Sequence, residues 1–160
     1  MNINKKDLFL DILLGAAAIG IILLGVSKFM LKTKSNSSVM VNEIEKINIL
    51  GIDGKEKRFT ELLKEDTDTY CMIFDLTDCA TCIYKGIADL QALKKEKIPC
   101  VAIAVHDSID DVKGYAGIHD FNPFFMMRKK DFYKYVSVLQ LPVIIRFNGT
   151  DIKSFRYILP

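Results

Sequence analysis

Histidine and cysteine are scarce in this chain. Two histidines and four cysteines are spread over 160 residues, with no second CxxC and no histidine pair. A structural zinc site needs four ligands, and no such set stands ready, so no metal ligands are assigned. Excess charge of one sign is also missing. The net charge of +2 is uneven: residues 1–42 carry five lysines against Asp7 and Asp11, and the remaining 17 basic and 18 acidic side chains nearly cancel. No basic patch belongs to the globular part, which argues against nucleic acid as a partner. No repeat or low-complexity tract occurs beyond residue 43, and tryptophan is absent.

One long stretch lacks charge almost entirely. Leu8 to Val26 is nineteen residues with a single ionisable side chain, Asp11. About 20 apolar residues cross the hydrocarbon core as a helix, so this stretch is long enough to span. The next residues, Ser27-Lys28-Phe29, make a poor cleavage site, and no cysteine lies close behind the stretch to be lipidated. A single-pass, uncleaved anchor over residues 1–32 is the reading, with the membrane engaged through residues 8–26. Lysines flank both ends, so charge leaves the orientation open. A polar linker over 33–42 then leads into one domain over 43–160.

Within that domain, Cys79-Ala80-Thr81-Cys82 ends a buried apolar run and begins a helical pattern. Tyr70 to Phe74 reads as strand, and Ile83, Ile87, Leu90 and Leu93 recur at helical spacing. A cysteine at a helix start faces unpaired N–H groups and the positive end of the dipole, which favour thiolate. Cys82 lies within disulfide reach on the same helical face. Cys79 and Cys82 are therefore candidate catalytic residues of a redox dithiol needing no cofactor. Ile98 to Val105 reads as a strand buried on both faces, completing a βαβ unit. Ser108 caps a short helix weakened by Gly114 and Gly117, Phe124 to Met127 is a core strand, and Lys129 to Val138 is helical. Val143 to Phe147, the Asn148-Gly149 turn and Ile152 to Ile158 form a hairpin.

These residues in this order resemble the thioredoxin-like superfamily, nearest to membrane-anchored thiol–disulfide oxidoreductases of the TlpA type. The features are Ile49 to Lys55 with its Asp-Gly turn, the CxxC between strand and helix, Leu141-Pro142 about sixty residues later, and Asn148-Gly149. The resemblance implies an α/β fold, a central mixed sheet flanked by helices. It implies that Pro142 is the cis-proline, that Leu141 and Pro142 bind substrate through main-chain atoms, and that the domain lies extracytoplasmically. Its partners would be protein thiol or disulfide substrates and a redox protein that recycles the pair.

The chain departs from the family at Asp78, where tryptophan is usual, and a carboxylate there opposes thiolate formation. The C-terminal helix of the family is missing after the hairpin, which predicts an uncovered apolar face. Two other readings stand beside the oxidoreductase. One is a non-catalytic thioredoxin-like binding module held at the membrane. The other is a copper-handling protein using the two cysteines and a distant histidine, His106 or His119. Asp75 and Asp78 are candidate proton acceptors for Cys82, with ordinary loop carboxylates the simpler alternative. Cys71 and Cys100 read as buried structural thiols, and Arg128-Lys129-Lys130 as a solvated face.

Overall fold

The β-branched and aromatic runs of the sequence become the strands of one seven-stranded sheet. The computed structural model describes residues 40–41, 43–137 and 140–160, so the expected anchor at 1–32 lies outside the described residues. Among the described residues no helix is long and apolar enough to cross a membrane. In chain order the elements are β1 (Met40–Val41), β2 (Asn48–Gly51), β3 (Glu56–Arg58), β4 (Asp68–Asp75), α1 (Ala80–Lys95), β5 (Cys100–Val105), α2 (Ile109–His119), β6 (Phe124–Met127), α3 (Lys129–Tyr135), β7 (Val136–Ser137), β8 (Val143–Asn148) and β9 (Asp151–Tyr157). Single 3-10 turns occupy Ile44–Lys46 and Phe59–Leu62.

The sheet runs β3-β2-β6-β5-β4-β8-β9. At its centre β4, β5 and β6 are parallel, with Cys71 beside Val101 and Ile103 beside Phe125. β8 joins β4 antiparallel, Ile73 beside Val143, and β9 is its hairpin partner. β2 adds antiparallel to β6, Leu50 beside Met126. β1 and β7 make a separate two-stranded ladder, so Met40 and Val41 of the expected linker are already paired.

Alternation along the central strands divides the core in two. Cys71, Ile73, Val101, Ile103, Val105, Ile145 and Phe147 point to one face, with Phe59 and Phe132 packed over them. Met72, Phe74, Ala102, Ala104 and Phe124 point to the other, where α1 supplies Ile83, Ile87 and Leu90 and α2 supplies Val112 and Ala116. Successive residues serving opposite faces is why β5 is buried at all six positions and reads as a continuous apolar run. α1 lies close because Gly86 has no side chain: a Cβ there would fall 2.4 Å from Ile158 Cδ1 and 2.6 Å from Met72 Cε.

Several elements differ from expectation. The helix from Lys129 ends at Tyr135, because Val136 and Ser137 leave it to pair with β1. The hairpin loop is Gly149-Thr150, with Asn148 still paired to Asp151, and Gly149 takes the positive φ of +55° that the first loop position demands. No helix follows β9 among the described residues, yet the α1 side of the hairpin is not an open apolar face. Ile144 is buried, Ile158 packs toward Gly86, Arg156 Nη2 bonds Asp89 Oδ2 at 2.7 Å, and Arg146 Nε bonds Asp68 Oδ2 at 2.9 Å. Two charged residues of β8 and β9, Arg146 and Arg156, therefore lie on that side together with the buried Ile144.

Candidate active site

The parallel strands β4, β5 and β6 all end at one edge of the sheet, and the candidate residues gather there. β4 stops at Asp75, a tight turn intervenes, and Cys79 becomes the N-cap of α1. Cys79 is exposed and Cys82, one turn into the helix, is buried. Both are free thiols. The Cys79 thiol sits below its ordinary range, drawn down first by the neighbouring Cys82 thiol and then by the polarity of the Cys82 and Thr81 N–H groups at the helix start. Partial desolvation and the Asp78 carboxylate pull the other way and lose. Cys82 is pushed up, first by the Cys79 sulfur beside it and then by burial. An accessible sulfur that ionises easily beside a recessed one that keeps its proton is an asymmetric pair.

The turn before the pair is built from carboxylates. Asp75 Oδ1 accepts the Thr77 N–H at 3.0 Å and the Thr77 hydroxyl at 2.8 Å, an Asx-type turn. Asp78 Oδ2 accepts the Asp75 N–H at 2.8 Å. Lys129 Nζ, arriving from the β6–α3 junction, lies 2.9 Å from Asp75 Oδ2. Burial alone would raise the Asp75 titration, but Lys129 and the two Thr77 donors overcome it and the carboxyl sits below its usual range. Asp78 moves the opposite way, up, because it is desolvated and shares the turn with Asp75. Neither carboxylate has a hydrogen bond to Cys82 among those found in the described residues, so both act here as turn builders. Lys129 departs from the solvated face expected for it: Arg128 and Lys130 are exposed, whereas Lys129 is half-buried on Asp75. Nothing local marks it, since its partner lies far away in the chain. The Asp-Leu-Thr spacing of 75–77 is the readable signal for the Thr77 turn.

Leu141-Pro142 precedes β8 at the same sheet edge. Extending the β4–β8 register from Ile73 beside Val143 places Pro142 level with Phe74 and Leu141 level with Asp75. The Leu141–Pro142 peptide is cis, as is Asn122–Pro123, which nothing in the sequence pattern marks. Pro142 O accepts the Ile158 N–H at 3.0 Å.

The remaining cysteines stand apart from the pair. Cys71 and Cys100 face opposite sides of the sheet. Burial pushes both thiols up, and the Cys100 thiol donates to the Leu90 carbonyl at 3.4 Å. His106 comes directly after β5, where its Nδ1 accepts the Ser108 N–H at 3.1 Å. His119 is the last residue of α2, and its ring lies 4.4 Å from that of Tyr115. Among the described residues no three His, Cys, Asp or Glu side chains are grouped to hold a metal ion.

No protein-family profile and no curated protein matches the sequence. Solved structures do. A thiol:disulfide interchange protein from Bacteroides sp. superposes with a TM-score of 0.58 at 13% identity, covering 74% of this chain and 80% of that one. The fold is thioredoxin-like. A secreted Mycobacterium tuberculosis disulfide oxidoreductase homologous to E. coli DsbE gives 0.56 at 13% identity, over 74% of this chain and 87% of its own. The pneumococcal exposed lipoprotein thioredoxin Etrx1 from Streptococcus pneumoniae gives 0.52 at 16% identity, over 69% and 87%. At such identities the likeness carries the architecture, and the chemistry has to be argued from the cysteine pair itself.

Proposed function

We propose that this domain is a thiol–disulfide oxidoreductase that exchanges Cys79 and Cys82 with protein substrates. The observation that carries the reading is the asymmetry of the pair: Cys79 exposed at the N-cap of α1 and favoured as thiolate, Cys82 buried beneath it and held protonated. In the reducing direction the Cys79 thiolate attacks one sulfur of a substrate disulfide. A Cys79–substrate bond forms, and the other substrate sulfur leaves as thiolate and takes up a proton. Cys82 then loses its proton to solvent and attacks Cys79, closing the Cys79–Cys82 disulfide and releasing the second substrate thiolate. The substrate gains two electrons and the pair loses two. A dithiol protein that returns those electrons completes the cycle, and run in reverse the same steps oxidise a substrate.

The main chain at Leu141, level with the end of β4, is the proposed seat of the substrate segment next to Cys79. The TlpA-type arrangement is part of the proposal: residues 8–26 hold the domain at a membrane, on the extracytoplasmic side, where disulfides persist. The test is a redox titration of the full chain carrying Cys71→Ser and Cys100→Ser, read by alkylation and mass spectrometry. A reversible two-electron transition at Cys79 and Cys82 is expected, and Cys82→Ser should accumulate mixed disulfides with substrates. Absence of a Cys79–Cys82 disulfide at every poise would move the assignment to a non-catalytic binding module.

A further inference from the structure

At the end of the sheet opposite the cysteine pair a recess of about 540 Å³ opens between the Phe59–Leu62 turn and the α1–β5 connection. Its floor is Thr69, Val101 and Phe125, from the adjacent strands β4, β5 and β6, on the face away from α1. A strand rises roughly 3.3 Å per residue, so this floor is on the order of 20 Å from the strand end that leads to Cys79. It belongs to a different site.

The rim of the recess is cationic. Lys57, Lys64, Lys94 and Lys97 surround it, against a single lining carboxylate, Glu61. None of the four lysines is among the ion pairs of the described residues. Lys94 Nζ instead reaches the Asn122 carbonyl at 2.6 Å, and Glu61 Oε1 accepts the Arg58 N–H at 3.1 Å. On the floor, Thr69 is 1% exposed and its hydroxyl has no hydrogen-bond partner, the one such buried side-chain atom among the described residues. Buried polar groups are ordinarily satisfied, and like charges gathered around an apolar hollow repel one another until a counter-charge arrives. Cations at the rim and apolar side chains beneath them match a molecule with an acidic head and an apolar body.

We propose that this recess binds an organic anion, its phosphate or carboxylate head among Lys57, Lys64, Lys94 and Lys97 and its apolar body on Val101 and Phe125. The same head can come from a soluble amphiphile or from an anionic lipid, and the experiment separates the two. The full chain in uncharged maltoside micelles is acetylated with limiting reagent and scored lysine by lysine by mass spectrometry. The additives are hexyl phosphate, inorganic phosphate or hexanol. Hexyl phosphate should protect the four rim lysines saturably, by about threefold or more, and leave Lys113 and Lys153 unchanged. Lys57→Gln with Lys97→Gln, both at exposed positions that leave the core intact, should shift the midpoint by about fivefold or more at the remaining two lysines. The same labelling in phosphatidylcholine nanodiscs, with and without phosphatidylglycerol, supplies the second arm. Protection by phosphatidylglycerol alone assigns the head to lipid, and protection only by added hexyl phosphate assigns it to a soluble ligand. Two results would overturn the site: no saturable protection in either arm, or inorganic phosphate protecting as well as hexyl phosphate, which leaves the apolar floor without a part.

Discussion

Replacing Lys129 with methionine isolates the ion pair at the candidate site, in which only the carboxylate is buried. Its partner Asp75 is 7% exposed, and the ammonium lies 2.9 Å away. Removing one member of a fully buried pair costs about 3–5 kcal/mol, because a charge is left in a poor solvent. Two features reduce that here. Asp75 keeps both bonds from Thr77, and water reaches the lysine end, whose side chain is 36% exposed. A loss of about 1–2 kcal/mol is therefore expected at neutral pH. For a domain of this size that is roughly 3–10 °C in Tm.

The pH dependence gives the sharper test of the ion pair. The folded Asp75 titrates below its unfolded value, so its contribution is complete above the unfolded pKa, about 4, and fades as pH falls through the lower folded value. The gap between wild type and Lys129→Met should therefore be widest near pH 7 and close as the medium is acidified below about pH 4. Asp75→Asn in the Lys129→Met background should recover part of the loss, since the amide keeps an acceptor for Thr77 without the charge. The chain has no tryptophan, so unfolding is monitored by circular dichroism. A gap that stays constant down to pH 3, or a double variant no more stable than Lys129→Met, would refute the electrostatic account and leave only lost packing.

The geometry sets two further outcomes. Asp78→Asn keeps an oxygen to accept the Asp75 N–H but removes the charge opposing the Cys79 thiolate, so Cys79 should ionise at lower pH than in wild type. Thiolate absorbance in a Cys71→Ser, Cys100→Ser background reads this, and an unchanged or higher value would contradict it. Gly86→Ala sets a helix-propensity gain of about 1 kcal/mol against crowding on the flexible ends of Met72 and Ile158, and should stay near neutral. Gly86→Leu has no such relief and should cost about 3 kcal/mol or more by denaturant titration.

How much is readable from the chain depends on how local the cause is. The CxxC at a helix start, the buried run of β5, the Ser108 cap, the hairpin and the proline before β8 are each set by neighbours within a few residues. Their periodicity, capping and turn chemistry act before any tertiary contact forms, and each lies where the sequence pattern puts it, the hairpin with its loop one residue later at Gly149-Thr150. The end of α3 shows the limit. Val136 and Ser137 continue a helical pattern, and β1, almost a hundred residues earlier, takes them into a ladder.

What tertiary structure alone decided is which distant side chains meet. The sheet order inserts β6 between β2 and β5, and that arrangement brings Lys129 to Asp75 and gives the buried carboxylate a partner that its own segment does not supply. The same assembly draws Lys57, Lys64, Lys94 and Lys97 around one hollow, although along the chain each looks like an ordinary exposed lysine. Composition and spacing report on a residue's own helix or strand. The electrostatics of a site depend on distances between elements, and those exist only once strand order and register have been chosen.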